Sequence, residues 1–73
     1  MKVQIAEAMN KAKDDADRYG ILAGFASCNR ALLEKGAAQE LVDALYFAGA
    51  AINRWRAIAV VREAAAKPLD AAS

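Results

Sequence analysis

Apolar and small residues recur along the first half of the chain at Ile5, Met9, Ala12, Ala16, Tyr19, Ala23, Ala26 and Leu33, with Arg30 intruding, in alternating steps of four and three. That spacing lays them on one stripe of an α-helix, and no stretch of the chain alternates with the period of two that a half-buried strand needs. A second seam follows at Leu41, Ala44, Ala48, Ala51, Trp55, Ile58, Arg62 and, more loosely, Ala65, widened by Leu45, Ile52 and Ala59. Opposite the first seam lie Glu7, Lys11, Asp14, Asp15 and Arg18, spaced for i,i+4 ion pairs on a solvated face. The fold class is therefore all-α.

Two long helices account for the pattern. The first spans about 3–34 and the second about 38–67, with a turn at about 35–37, and the whole forms one domain. Gly36 is suited to the left-handed conformation that closes a helix, and Pro68 ends the second helix at or before Lys67. Residues 68–73 read as a frayed tail. A rod continuous through Gly36, and a three-helix chain broken at Gly20 and Gly24, are the competing layouts. The heptad phase runs unbroken across both of those glycines, which favours an intact helix.

Folded at residues 35–36, the hairpin brings the uncharged run 19–29 opposite the uncharged run 44–53. It also sets Asp17 level with Arg54 and Asp15 level with Arg56. Two antiparallel helices bury only one stripe each, so Ile21, Phe25, Leu32, Tyr46 and Phe47 are left as an apolar belt. Such a belt usually marks a protein interface. Twenty of the 73 residues are alanine, and Val, Ile, Leu and Phe together number only 16. That is a lean core for a chain without disulfides or metal, and a second copy is a standard remedy. The expected assembly is a homodimeric four-helix bundle. Ala8, Ala12, Ala16, Gly20 and Gly24 recur every four residues, a row that permits close helix approach.

Chemistry-bearing residues are few. The sequence has no histidine and one cysteine, so a His/Cys zinc site within the chain, a Cys–His nucleophile pair and a Glu-x-x-His di-iron site are all excluded. The acidic group Asp14, Asp15 and Asp17 lacks the glycine and terminal glutamate of a calcium loop. No catalytic, cofactor-binding or metal-binding residue is assigned, and no cofactor is expected. Cys28, in an apolar stretch, reads as an inert core cysteine, and Trp55, in phase with its seam, as a core tryptophan.

Net charge is +1, but 51–67 carries Arg54, Arg56, Arg62 and Lys67 against Glu63 alone. These four are the candidate contacts to RNA or DNA, against which the near-neutral whole weighs. The stretch after Met1 is too mixed for a secretory leader, no apolar run spans a bilayer, and a lone cysteine suits a reducing compartment. The expected location is the cytoplasm.

In length and layout the chain resembles the small helical-hairpin dimers that plasmids use as RNA-binding copy-number regulators, and small phage proteins that block a host factor. The likeness is one of architecture, without a shared motif, and architecture does not carry function. The sequence thus leads to a small non-enzymatic homodimer that regulates or inhibits another protein. A nucleic-acid-binding dimer and a structural subunit of a larger assembly are the alternatives.

Overall fold

Four short helices stand where two long ones are expected. The structure, a computed structural model, describes residues 2–67, with side chains from residue 4. It contains α1 (Lys2–Asn10), α2 (Asp15–Ala26), a 3-10 turn (Arg30–Leu33), α3 (Ala37–Phe47) and α4 (Arg54–Ala66). The tail expected at 68–73 lies outside the described residues. The all-α expectation holds, while the two-helix layout, and with it the architectural likeness to hairpin dimers, gives way to a four-helix arrangement. A hairpin of two helices of some 30 residues would be about 45 Å long, whereas the longest extent is 32 Å.

Each break has a local cause in short polar side chains or glycine. Asp14 adopts an extended backbone, and its carboxylate accepts the Asp17 amide at 2.9 Å, capping α2. Asp15 and Asp17 in the first turn suit the positive end of the helix dipole. Across the gap, Arg18 Nε donates to the Met9 carbonyl at the end of α1 (3.1 Å), and its guanidinium pairs with Asp15. Asn29 accepts from the Ala31 amide and starts the 3-10 turn. Gly36, at φ +84°, takes the expected left-handed conformation and leads into α3.

The α3–α4 link is the most fully specified. Gly49 has φ +96°, its amide donates to the Tyr46 carbonyl (3.1 Å), and the Ala50 amide donates to the Leu45 carbonyl (3.0 Å). Those paired bonds form a Schellman motif, and the buried Ala50 and Leu45 supply its hydrophobic contact. Asn53 then caps α4 by accepting from the Arg56 amide (3.1 Å). Lys67, before Pro68, leaves the helical region at φ −127° and ψ 72°, as the residue preceding a proline should.

The four helices close a core within one chain. Met9, Leu22, Val42, Leu45 and Val61 are fully buried, and Ala6, Ala26, Ala38, Ala57 and Ala65 fill the crossings between them. Alanine contributes here by allowing close approach rather than by area. The buried face of α4 is Ala57, Val61 and Ala65, not the Trp55, Ile58, Arg62 face of the expected seam. The break at 48–53 resets the helical phase. The hairpin register gives way with it: Arg54 pairs with Asp43 rather than facing Asp17, and Asp15 pairs with Arg18 rather than facing Arg56.

The glycine row does not pack tightly in the chain. Gly20 and Gly24 are exposed, and a Cβ added at either meets nothing within 4 Å. Both lie inside α2, where glycine costs about 0.5–1 kcal/mol relative to alanine. Gly20→Ala and Gly24→Ala are each expected to stabilise the protein by that amount, raising Tm by roughly 2–8 °C at this size. Thermal unfolding followed by circular dichroism checks this. A fall in Tm for both variants would show that another helix covers the row in solution.

Candidate interaction surface

The start of α4 is held to α2 by Tyr19. This ring is 7% exposed, its hydroxyl accepts the Asn53 amide at 2.8 Å, and the Arg56 guanidinium lies 4.5 Å from its centroid. Asn10, at the end of α1, secures the preceding link: its Nδ2 donates to the Gly49 carbonyl (2.8 Å) and its Oδ1 accepts the Ala51 amide (2.9 Å). With both ends of the link fixed, the corner between α3 and α4 has a defined shape.

That corner carries the most exposed large apolar side chains among the described residues. Phe47 is 84% exposed, Trp55 85% and Tyr46 49%. The Tyr46 and Phe47 rings meet edge to face with centroids 5.7 Å apart. The Arg54 guanidinium lies 5.7 Å from the Tyr46 ring, and it also pairs with Asp43 of α3. Aromatic, arginine and carboxylate groups are thus coupled across the two helices, the cation–π and ion-pair contacts each being worth at most about 1 kcal/mol at an exposed site. Beside them runs a groove of about 400 Å³, lined by Gln39 of α3 and by Arg54, Trp55, Ile58, Ala59 and Arg62 of α4.

The residues expected to form one apolar belt are divided. Tyr46 and Phe47 share the corner. Ile21, 37% exposed, borders a depression on α2 with Ala16 and Gly20. Phe25 is half-buried and packs on the core, beside a depression edged by Glu34 and Glu40. Leu32 is 7% exposed and belongs to the core, because the 3-10 turn rotates it inward where a continuous helix would have turned it out. Of the four basic candidates, only Arg54 and Arg62 line one groove. Arg56 stacks on Tyr19, and Lys67 lies 3.7 Å from Glu63.

Two residues are placed contrary to expectation. Cys28 is exposed rather than buried, since α2 ends at Ala26 and the chain turns outward there. Trp55 is exposed rather than in the core, as the second residue of α4 after its Asn53 cap. The signal for Trp55 was present in its neighbours: both adjacent residues are arginine, directly after a good N-cap.

No protein-family model, curated protein or solved structure matches the chain. Among the described residues no group of three or more His, Cys, Asp or Glu side chains is placed to hold a metal ion. No helix of the described residues is long and apolar enough to cross a membrane.

Proposed function

We propose that the protein is a non-enzymatic interaction module that regulates or inhibits another protein by binding it through the α3–α4 corner. The observation that carries this reading is the exposure of Phe47 and Trp55, at 84% and 85%, on a corner whose backbone is fixed by its own hydrogen bonds. Tryptophan, tyrosine and arginine dominate the energetics of protein interfaces, and here Tyr46, Arg54 and Trp55 lie together. Aromatic side chains turn about only two bonds, so on a fixed backbone they lose little freedom on binding. Because one chain encloses its own core, a second copy would act by covering these aromatics rather than by completing that core.

Binding is tested by capture with the full chain from its native cell, followed by titration of the purified captured partner against wild type, Phe47→Ala and Trp55→Ala. Each substitution is expected to weaken the complex by about 2 kcal/mol or more, roughly 30-fold. Folding should change by no more than about 0.5 kcal/mol, since both side chains are exposed. Unchanged affinity for both variants would overturn the reading. Light scattering on the same samples gives the share of self-association, which the aromatic substitutions should abolish if the partner is a second copy.

A nucleic-acid reading keeps one supporting observation, that Trp55, Arg54 and Arg62 line one groove. Asp43 already neutralises part of Arg54, and Arg56 and Lys67 are engaged elsewhere. Binding of that kind would weaken steeply with added salt.

A further inference from the structure

The groove beside Trp55 has a charge pattern that the corner aromatics do not explain. Trp55, Ile58 and Ala59 supply apolar surface, and Arg54 and Arg62 are the first and last of the α4 residues that line it. These arginines are eight residues apart on one helix, so they are separated by about 12 Å along its axis. Among the described residues no carboxylate lines the groove. Arg54 has Asp43, but Arg62 has no carboxylate oxygen within 4.0 Å among the described residues.

Resting on the protein-binding reading above, we infer that this groove takes an amphipathic α-helix of the partner, one whose acidic side chains, two turns apart, bracket an apolar pair. Two helical turns rise about 11 Å, so carboxylates at i and i+7 match the spacing of Arg54 and Arg62. Apolar residues at i+3 and i+4 fall between them and cover Trp55, Ile58 and Ala59, the usual way a helix anchors in a groove. Single-stranded nucleic acid fits less well. One tryptophan gives it one stacking platform, and a chain of net charge +1 offers little to a phosphate backbone.

Trp55 is the only tryptophan in the sequence and is 85% exposed, so its emission reports directly on the groove. The probe is a tryptophan-free helical peptide with Glu at i and i+7 and Leu at i+3 and i+4, titrated into the full chain. Saturable binding with a blue shift of Trp55 emission is expected, and the same peptide with Lys in place of Glu should bind at least about tenfold more weakly. Arg62→Glu, at an exposed position, should lose a similar factor against the acidic peptide and regain it against the lysine peptide. Circular dichroism of the variant checks that its helices are intact, and the regained binding is itself a property only a folded groove has.

Absence of a blue shift, equal responses to both peptides, or a larger response to oligouridylate than to the acidic peptide would each overturn the inference. If the acidic peptide fails while Phe47→Ala and Trp55→Ala still weaken partner binding, the groove's choice of an acidic helix falls and the interaction reading stands. If neither effect is seen, both fall.

Discussion

Leu45→Ala is expected to remove a large share of the protein's stability at room temperature. Leu45 is fully buried, and it also lies at the end of α3, where its carbonyl accepts the Ala50 amide. Truncating a fully buried leucine costs about 2–5 kcal/mol, through lost transfer free energy and the cavity left behind. A domain of this length has a total stability of roughly 4–11 kcal/mol. One substitution thus removes a large share. The sparse supply of large side chains makes compensation harder, since Met9, Leu22, Val42 and Val61 are the other large side chains fully buried among the described residues. Urea denaturation followed by circular dichroism should show a lower midpoint with little change in slope. Leu33→Ala is the control: at 48% exposure it should cost well under half as much. A loss below about 1 kcal/mol for Leu45→Ala would mean that the centre of the core lies elsewhere.

The helical character of the chain was legible because it depends on local preference and spacing, and both are strong here. Several core residues were legible for the same reason: Met9, Tyr19, Ala26 and Leu41 lie on the expected seams and are buried. The breaks were not. An unbroken alternation of four and three across residues 5–33 outweighed the capping residues, although Asp14, Asn29 and Asn53 are all of the types that start helices. In an alanine-rich chain nearly any helical face looks apolar, so periodicity alone does not show where one helix stops and another begins. Gly49 and Asn53, four residues apart around an apolar link, form the clearest pair of stop and start signals. Once that break is placed, Trp55 becomes a first-turn residue and no longer belongs to the phase of α3. The candidate surface follows from that one boundary. Of the expected belt, Tyr46 and Phe47 stay exposed because they end α3, while Leu32 is lost to the core because a tight turn, not a helix, carries it.

Asn10→Ala and Asn10→Asp are expected to loosen the same corner, and to differ in a way that identifies the cause. The Asn10 amide joins the end of α1 to the α3–α4 link through one donated and one accepted hydrogen bond, to the Gly49 carbonyl and from the Ala51 amide. It spans 39 and 41 residues of sequence, so it ties a local turn to a distant element. Alanine removes both bonds. Water can reach these backbone groups, so the cost should be about 1–2 kcal/mol rather than the penalty of a buried unpaired pair. Aspartate keeps the acceptor for Ala51 but sets a carboxylate oxygen against the Gly49 carbonyl. At neutral pH it should be at least as destabilising as alanine, despite its similar shape. Protonating the introduced carboxyl supplies an O–H donor for that carbonyl, so the difference from wild type should shrink as pH falls. Alanine has no group to protonate and should show no such recovery. Urea midpoints for the three proteins, measured at neutral and acidic pH, decide the matter. If both variants track wild type at neutral pH, the clamp does not hold the link, and the setting of Trp55 depends on the Tyr19 hydroxyl and the Asn53 cap alone.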